Sequence, residues 1–534
     1  MKVLKKAIAR EPRLARFLCH LYQRLSQKRL NLVTGAGISA DAGVPNWHGL
    51  LDQLASGEDA LKTDLGEHRK AGLNPEYLGQ IIYHRFKNAC TVPGPADLRV
   101  ATVEHGWGEA IHKAIYDKVP ADIGQVVTNH PYLAALRDLA RKLPLVINFN
   151  FDDILSDAIG DQIKAGVAGN AVSVTWQPPL TDRTELTTLY HVNGILPRVS
   201  LRKRSPQLIF TEDSFADARA RAPGVSAEYL FLRFVQNTML LIGHSLADSS
   251  LKNYLRLNRD KSPANHHYMI FWIKDEKDIS DSRRKDIFEA NLELYNLITI
   301  FLTSSEIREF LDLLNLDERG FGEQLDALGE DRRWRYHYYI VGPVAAGKST
   351  LLEHLRCFQT HEEWTRPPPR EMYLASTNID DQQREIIDSF LYSELKEKNR
   401  RMHAAHAGFH FMDRAPLDLY AFSKSEAENL KKSERVRALV TRDQPLQKGE
   451  VLFIEASPAT LVRRNMARGR PPAEAGSEEY FIEQISNLKK VYEPSFVLST
   501  EQYNAGEVAR RVARHVLLEE YCPTDLDKII DRYG

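Results

Sequence analysis

The chain has 534 residues, too many for a single hydrophobic core, so we expect about two or three domains. Hydrophobic residues make up 43% and charged residues 27% of the sequence, which is typical of a globular protein and excludes a largely disordered chain. The formal net charge of −1 gives no indication of nucleic acid or a membrane surface as a partner. The four cysteines form no CxxC pair and no stretch has the length of a membrane span, so we expect a cytoplasmic protein without a zinc ribbon or disulfide framework.

The first half of the chain shows alternating helical and strand patterns. Residues 4–27 carry apolar side chains at helical spacing, and the apolar run Leu30–Val33 then predicts a strand. Residues 50–126 are mostly helical in pattern, which indicates an inserted helical layer that can cover a pocket. Further strands are predicted within residues 144–147, 172–176, 189–197, 208–211, 239–251, 267–273 and 297–302. This alternation predicts a parallel, Rossmann-like α/β sheet.

The composition changes after Leu302, where residues 304–333 are rich in charge and contain an amphipathic pattern. Such a segment is typical of a boundary between domains. A second α/β pattern begins close to residue 334. We therefore predict a first domain at residues 1–303, a linker or junction helix at 304–333 and a second domain at 334–534.

The loop after the first predicted strand contains Gly35, Ala36 and Gly37, within the stretch TGAGISADAGVPNW at residues 34–47. Glycines here allow a tight turn and a close approach of the backbone to a ligand. The amides of a helix that begins at this place would face a diphosphate. A tight turn from strand to helix also needs glycine where nothing binds, so the loop alone is equally consistent with a structural turn.

Four stretches of the first half resemble, in the same order, the dinucleotide-binding sequences of the sirtuin family: TGAGIS at 34–39, NFNFDD at 148–153, LYHVNG at 189–194 and IGHSLADSSL at 242–251. The resemblance implies a domain that binds NAD. It also implies that Asn150 and Asp152 lie beside the nicotinamide ribose. Gly243 and Ser245 would then hold the adenosine ribose.

Cleavage of the bond between nicotinamide and ribose builds positive charge on the sugar. The site must therefore hold the sugar, exclude bulk water and manage one hydroxyl proton. An asparagine such as Asn150 can orient the attacking water and the leaving amide without adding a charge. A histidine suits the proton because its unperturbed pKa lies near neutrality.

The chain departs from the sirtuin pattern at Asn193, which stands directly before Gly194 where the family has a histidine. One interpretation is a natural variant in which His191, on the same face of a regular strand, takes over the proton. The other is a replaced histidine that traps an inactive state, which is favoured because sirtuin-like defence proteins commonly read HVHG here. His191 is equally consistent with a buried core residue. The catalytic candidates are Asn150, His191 and Asn193.

A second departure concerns the substrate. The chain lacks the four-cysteine zinc module of the protein deacylases, and it has Asn46, Trp47 and His48 where the family usually continues GIPxF into an arginine. Without the zinc module, much of the cleft for an acyl-lysine peptide is missing. The resemblance therefore implies NAD hydrolysis, as in the sirtuin-like effectors of bacterial antiphage systems, which deplete NAD and arrest the infected cell by abortive infection.

The second half contains GPVAAGKST at residues 342–350, which satisfies the pattern GxxxxGK[ST] between an apolar run and a helical one. This order of strand, loop and helix predicts a site for ATP or another nucleoside triphosphate. The loop amides would cradle a phosphate, Lys348 would reach the γ-phosphate and Ser349 would hold Mg2+. The predicted nucleotide site comprises Gly342, Gly347, Lys348, Ser349 and Thr350.

Residues 408–422 place Asp413 and Arg414 after an apolar strand and resemble the Asp-Arg motif of deoxynucleoside and thymidylate kinases. The resemblance implies that Asp413 lies near Mg2+ or the acceptor hydroxyl and that Arg414 holds the acceptor. Residues 451–471 resemble the arginine-rich lid of the same kinases. Its arginines are Arg463, Arg464, Arg468 and Arg470, of which Arg464 and Arg468 are the predicted phosphate contacts. A solvated basic helix is the alternative.

These features support one hypothesis and two alternatives. The first is an NAD-consuming antiphage effector whose kinase-like domain binds a nucleotide and regulates the NADase. The second is a nucleotide-binding regulatory or scaffold protein that binds NAD without cleaving it, which Asn193 favours. The third is an active nucleoside or nucleotide kinase that NAD regulates. We expect NAD and a nucleotide as ligands, no membrane or direct nucleic-acid partner, and a homo-oligomer.

Overall fold

The computed structural model describes residues 2–57, 65–90, 95–179, 185–199, 208–221, 225–328, 334–373, 379–423, 425–468 and 477–533. The chain divides into two units. The first comprises Met1–Arg10, Arg24–Asp260 and His266–Asp317, and the second comprises Glu11–Gln23, Lys261–Asn265 and Glu318–Gly534. The domain limits predicted near residues 303 and 334 stay predictions. In the described part of the chain, no helix combines the length and apolar character that crossing a membrane requires.

The first unit contains, among its described residues, a parallel sheet with the strand order β3-β4-β2-β1-β5-β6-β7. Its strands are β1 (Leu30–Thr34), β2 (Leu145–Asn148), β3 (Ala171–Thr175), β4 (Leu186–His191), β5 (Thr238–Ile242), β6 (His267–Trp272) and β7 (Leu297–Leu302). Strand β1 pairs with β2 on one side and with β5 on the other. The strand order therefore reverses at β1, and in open α/β sheets ligands bind outside the carboxyl ends of the strands at such a point.

Helices connect these strands, and α3, α5 and α6 pack against one another as the inserted layer between β1 and β2. The helices between residues 2 and 314 are α1 (Lys2–Arg10), α2 (Leu14–Ser26), α3 (Trp47–Gly57), α4 (Leu65–Lys70), α5 (Pro75–Ala89), α6 (Ala96–Tyr116), α7 (Ile123–Asn129), α8 (Leu133–Ala140), α9 (Ile154–Lys164), α10 (Glu212–Arg221), α11 (Val225–Gln236), α12 (Ser249–Lys261), α13 (Asp281–Tyr295) and α14 (Ser304–Leu314).

The core of the first unit lies along its central strands. Every residue of β1, β2 and β5 is buried, as expected for strands covered on both faces. Strand residues pack with side chains of α11 and α12 in one cluster that includes Val33, Ile147, Leu241, Leu230, Phe234, Leu251 and Leu255. Each fully buried side chain of this kind contributes about 1.5–3 kcal/mol of transfer free energy. The strand ends that carry polar residues are thus held on a rigid support.

The second unit contains five parallel strands among its described residues, in the order β12-β11-β8-β10-β9. They are β8 (Arg335–Val341), β9 (Gln359–His361), β10 (Gly408–Asp413), β11 (Glu450–Glu455) and β12 (Phe496–Ser499). The helices from residue 318 onward are α15 (Glu318–Ala327), α16 (Lys348–His354), α17 (Asp381–His403), α18 (Glu426–Leu439), α19 (Pro458–Ala467), α20 (Glu478–Tyr492), α21 (Ala505–Leu518) and α22 (Leu526–Tyr533).

The predicted fold class, a mixed α/β protein with parallel Rossmann-like sheets, is confirmed. The strand predicted at residues 208–211 is wrong. The backbone amides of Phe210 and Thr211 donate hydrogen bonds to Ser214 Oγ, so this segment leads into α10 and has no strand partner. The helical spacing of residues 4–27 corresponds to two helices, because Pro12 lies in the turn between α1 and α2 and lacks an amide hydrogen.

Candidate functional site

The loops after β1, β2, β4 and β5 come together at one edge of the first sheet. Thr34, Asn148 and His191 lie in register across β1, β2 and β4, and Ile242 continues this row on β5. The four stretches with sirtuin resemblance all include these strand ends. The topology therefore brings the predicted residues of all four stretches to the same edge.

The predicted glycine loop packs directly against the loop after β5. A Cβ atom at Gly35 would lie 2.6 Å from Gly243 O, and one at Gly37 would lie 2.8 Å from Gly243 Cα. Gly243 itself has φ 76°, and a Cβ there would lie 2.6 Å from Ile38 N. These glycines are therefore required by the contact between the two loops, whether or not a ligand also approaches them.

The predicted helix directly after the glycine loop is wrong. Two short 3-10 turns, Ala36–Ile38 and Ala40–Ala42, follow β1, and α3 begins only at Trp47. Gly43 ends the second turn with φ 94°, a left-handed conformation that an α-helix does not continue. The amides that directly follow the glycine loop therefore belong to these turns and not to the start of an α-helix.

Asn150 and Asp152 join a buried polar network with Ser39. The Asn150 side-chain amide donates to Gly35 O at 3.1 Å and lies 3.4 Å from Ser39 Oγ. Ser39 Oγ donates to Asp152 Oδ1 at 2.9 Å. The loop after β2 is thereby tied to the loop after β1 through side chains that sequence patterns named separately.

Asp152 is held in an environment that disfavours its charge. Burial raises the pKa of Asp152 to about 6, although the hydrogen bond from Ser39 and the amide of Ile154 act in the opposite direction. A buried carboxylate with a perturbed pKa at a sheet edge is typical of a functional site. Near neutral pH this carboxylate is mostly ionised and faces little solvent, so it can stabilise positive charge beside it.

His191 is fully buried at the end of β4, and its Nδ1 lies 3.0 Å from Asn150 O. Because a carbonyl oxygen only accepts, Nδ1 carries the proton and the neutral ring leaves Nε2 as a bare acceptor. No hydrogen-bond partner of Nε2 exists among the described residues. Burial lowers the pKa of His191 to about 4, so the neutral form dominates at pH 7.

Asn193 lies two positions after His191. Its side-chain amide donates to Phe149 O at 3.1 Å. The two side chains therefore hold two consecutive carbonyls of the loop after β2, those of Phe149 and Asn150. An amide in this role fixes the backbone. It cannot accept a proton, so the candidate for the proton at this edge is His191.

His244 is a residue that sequence analysis missed. Its ring lies 5.1 Å from the ring of Phe149 and forms a hydrogen bond with the backbone of Thr34. Burial lowers the pKa of His244 to about 4, and its Nε2 has no partner among the described residues. Its position directly after Gly243 was the available signal. Its neighbour Ser245, which was predicted, is exposed.

The phosphate loop of the second unit has the predicted arrangement of strand, loop and helix. Gly342 follows β8, and a Cβ atom there would lie only 2.0 Å from Ile454 O. Gly347 is the N-cap of α16, which begins with Lys348, and Ser349 and Thr350 are exposed on its first turn. Lys348 Nζ donates to Gly342 O and Pro343 O at 2.9 Å each.

Lys348 is buried, and burial together with the Arg414 guanidinium lowers the pKa of its ammonium to about 8. It remains mostly protonated at pH 7. Ser349 Oγ donates to Asp413 Oδ2 at 3.3 Å, and Asp413 Oδ1 is buried without a partner among the described residues. A hydroxyl and a carboxylate in contact, with a spare carboxylate oxygen, are oxygen donors of the kind that Mg2+ binds beside phosphates.

Arg414 is paired with a residue that sequence analysis missed. Its Nε lies 2.6 Å from Glu363 Oε1, and Arg414 has the left-handed φ of 65°. Strained backbone of this kind clusters at functional sites. Asp418 is a second missed residue: it is buried, accepts from Tyr492 Oη at 2.8 Å and leaves Oδ2 unpartnered among the described residues. Both carboxylates influence Lys348 electrostatically, which brings them to the same edge.

The predicted arginines of the lid do not share one role. Arg464 is half-buried, and it donates to Thr500 Oγ1 at 2.8 Å and Thr500 O at 3.1 Å. Arg468 caps the end of α19 and is exposed, as is Arg463. Arg470 lies outside the described residues. In the described part of the lid, Arg468 is thus placed in solvent and Arg464 against Thr500.

Comparison with solved structures returns low scores. Two structures of deoxyadenosine kinase from M. mycoides, one with bound dATP and one with the products dCMP and a flexible dCDP, are 18% and 16% identical to the chain. Each match covers 34% of this chain and 98% of that chain, with TM-scores of 0.28 and 0.27. NadR protein in complex with NR is 13% identical, covers 70% of this chain and 87% of that chain, and has a TM-score of 0.23.

No curated protein matches the chain. Residues 144–300 match the family described as a SIR2-like domain. The match contains Asn150, His191, Asn193 and Gly243, whereas the glycine loop at residues 34–47 lies outside it. Residues 144–300 of the first unit are thus similar to a SIR2-like domain.

Proposed function

We propose that the first unit binds NAD and hydrolyses the bond between nicotinamide and ribose. The observation that carries the proposal is the pair of contacts that Asn150 makes with two neighbouring loops. Its side chain reaches the glycine loop at Gly35 O, and its carbonyl is held by His191. The SIR2-like match includes both residues and supports NAD as the ligand.

The reaction requires one water molecule. The C1′–N bond to nicotinamide breaks and its electron pair leaves with the ring, while the water oxygen forms the new bond to C1′. Nicotinamide, ADP-ribose and one proton are the products. Asn150 orients the water and the leaving amide, and ionised Asp152 stabilises the positive charge that develops on the ribose.

His191 receives the proton in this proposal. Its Nδ1–H is fixed by Asn150 O, so the lone pair on Nε2 has a defined direction. The low pKa of His191 keeps this lone pair available at pH 7 and makes the imidazolium short-lived, so the proton passes on to water. Asn193 positions the Phe149 carbonyl and takes no proton.

The biological role we propose is that of an antiphage effector that depletes NAD and causes abortive infection. The sequence supports hydrolysis over deacylation because the zinc module of the protein deacylases is missing. The second unit would bind ATP or another nucleoside triphosphate with Mg2+ at Ser349 and Asp413 and regulate the hydrolase. Regulation requires that the nucleotide binds the active arrangement more tightly than the resting one.

A second function, phosphoryl transfer by the second unit, is favoured by the ion pair between Arg414 and Glu363. A carboxylate beside the phosphate loop can take the proton of an acceptor hydroxyl. Close to it, Trp364 packs on Phe390, and Phe390 lines an open groove together with Arg366 and Gln382. An aromatic wall with polar groups suits a planar base of a nucleoside.

NAD consumption by the purified chain tests the first function. The wild type, His191→Gln and Asn193→His are each incubated with NAD, alone and with candidate nucleoside triphosphates. We expect loss of NAD in the wild type and a loss about 10²–10⁴-fold slower with His191→Gln. Loss only with Asn193→His would mean that the position before Gly194 supplies the base and that the wild type is inactivated. Loss in none, with any nucleotide, contradicts the hydrolase and leaves the alternative of an NAD-binding regulatory protein.

A further inference from the structure

The inserted helical layer reaches the candidate site through the last turn of α6. Tyr116 Oη donates a hydrogen bond to Leu196 O at 2.6 Å and accepts one from the amide of Asp153 at 3.1 Å. It also lies 3.1 Å from Asp153 Oδ1. One hydroxyl thus links the loop after β2 with the loop after β4.

A second ring on the same face of α6 strengthens this link. His112 precedes Tyr116 by one helical turn, and the two ring centroids are 4.9 Å apart. His112 Nε2 lies 3.1 Å from Pro197 O, and since this oxygen only accepts, Nε2 carries the proton. Two consecutive carbonyls, those of Leu196 and Pro197, are therefore bound by one helix.

The two linked loops carry the groups that the proposed reaction needs. Asp153 directly follows Asp152, and Leu196 follows Asn193 by three positions. The loops also touch each other, because the amide of Leu196 donates to Phe151 O at 2.8 Å. The proposed reaction depends on the distance between Asn150 and His191. A shift of Leu196 relative to Asp153 would therefore change this distance.

The Tyr116 hydroxyl stays a neutral donor and acceptor at working pH, because burial and the neighbouring Asp153 raise its pKa well above the ordinary value for tyrosine. A charged group at this place would need compensation, whereas a phenol satisfies one carbonyl and one amide at once. Nothing in the sequence pattern marks Tyr116, because the residues that it joins are distant in the chain.

We propose that Tyr116 is a positioning residue that fixes the loop carrying Asn150 and Asp152 relative to the loop carrying His191 and Asn193. This inference rests on the proposed NAD hydrolysis. The helical layer is then part of the catalytic framework as well as a cover of the sheet edge. Loss of the hydroxyl should lower the rate of the chemical step more than the affinity for NAD, because placement of reacting groups affects the transition state most.

The test compares Tyr116→Phe with Tyr132→Phe in the full chain. Tyr132 is also buried in the first unit, and its hydroxyl has no hydrogen bond with any described residue. Amide hydrogen exchange is measured first, without NAD. We expect faster exchange in residues 150–153 and 194–198 for Tyr116→Phe, and exchange as in the wild type for Tyr132→Phe.

Kinetics and binding follow on the same variants. We expect kcat for NAD hydrolysis to fall about tenfold in Tyr116→Phe with a change in KM below about twofold, and no change in Tyr132→Phe. Unchanged exchange in both loops, or equal effects of both variants, overturns the inference. If no version of the chain binds or cleaves NAD, the proposed function fails, and the exchange measurement alone then decides whether Tyr116 fixes the loops.

Discussion

At the scale of single residues, the polar groups at the first sheet edge are almost all engaged with each other. Asn150, Ser39 and Asp152 form a continuous set of hydrogen bonds, while two imidazole nitrogens, His191 Nε2 and His244 Nε2, have no partner among the described residues. Buried polar atoms without partners are rare in folded proteins and indicate a ligand or a water. These two nitrogens are the strongest local sign that something polar binds here.

The sequence predicted Asn150, Asp152, His191 and Asn193 from their order and wording, and the structure brings them together. The sequence did not predict His244, because the contacts that place its ring at this edge are with Phe149 and Thr34, which are distant in the chain. Conversely, Ser245 was predicted from its motif and is exposed. Motifs locate a loop, whereas the direction of each side chain is decided by its tertiary neighbours.

Replacing His191 tests its role in the proposed reaction. His191→Gln keeps a donor for Asn150 O and removes the basic Nε2, so we expect kcat to fall by about 10²–10⁴-fold with the fold intact. Steady-state NAD hydrolysis and circular dichroism measure these two properties. The control is His68→Gln, which changes a partly exposed histidine of α4 and should leave the rate unchanged. A rate for His191→Gln within about twofold of the wild type would exclude His191 as the base.

The Asp152 carboxylate should make stability depend on pH in a defined direction. Its pKa is raised to about 6 in the fold, so between about pH 4 and 6 the folded chain binds more protons than the unfolded chain. The free energy of unfolding therefore falls as pH rises through this window, and the full cost, about 3 kcal/mol, is present above it.

Asp152→Asn removes this charge and keeps an oxygen that accepts from Ser39. We expect the variant to be more stable than the wild type at pH 7.5, with a gain that shrinks by about 2 kcal/mol at pH 4.5. The difference in thermal unfolding midpoint at the two pH values measures it. An equal difference at both values, or a less stable variant at pH 7.5, would show that the carboxylate is not held at a cost.

At the scale of elements, the strands were predictable and the loop geometry was not. Strands β1, β2 and β5 are mostly apolar. Pattern alone located both ends of β1 and β2, and the start of β5, within one residue. The stretch predicted at 239–251 extends beyond the end of β5 at Ile242. Residues 208–211 have the same apolar character but pack their Phe210 ring on Trp47, with centroids 5.2 Å apart. An apolar run can thus serve an aromatic cluster as well as a sheet, and the sequence does not distinguish the two uses.

The contact between the glycine loop and the loop after β5 predicts the effect of Gly243→Ala. Gly243 has φ 76° and would place a Cβ 2.6 Å from Ile38 N, whereas Gly166 has φ 74° and open space around it. The control Gly166→Ala therefore carries the same backbone strain without the clash. We expect Gly166→Ala to cost about 1 kcal/mol and Gly243→Ala about 2–4 kcal/mol of unfolding free energy. Thermal or denaturant unfolding measures both, and equal costs would refute the loop contact.

At the scale of the whole molecule, the chain joins two parallel α/β sheets that each present charged or polar groups at strand ends. The strand–loop–helix arrangement around Lys348 was predictable because the strand, the glycines and the lysine are close in sequence. Glu363 and Asp418 were not, since only the fold brings them near Lys348. Whether the second unit regulates the first or acts as a kinase is decided by binding and turnover rather than by pattern.

Removal of Lys348 separates these functions. Lys348→Ala should weaken the binding of a nucleoside triphosphate with Mg2+ by about 10–150-fold, because a charge-assisted hydrogen bond to phosphate is lost. Calorimetric titration measures this, with Lys396→Ala as a control that removes an exposed lysine of the same unit. If the nucleotide regulates NAD hydrolysis, the same variant also loses its response to nucleotide. A Lys348→Ala chain that binds nucleotide as tightly as the control would refute the phosphate site.

The central claim is that Asn150 belongs to a site that cleaves NAD. Its most direct measurement is the release of nicotinamide from NAD by the purified full-length chain and by Asn150→Ala, followed by chromatography in the presence and absence of nucleoside triphosphates with Mg2+. We expect release by the wild type in at least one nucleotide condition and a fall of at least about 10²-fold in Asn150→Ala. Equal release by the wild type and Asn150→Ala would contradict this claim. So would the absence of release from both the wild type and Asn193→His in every condition.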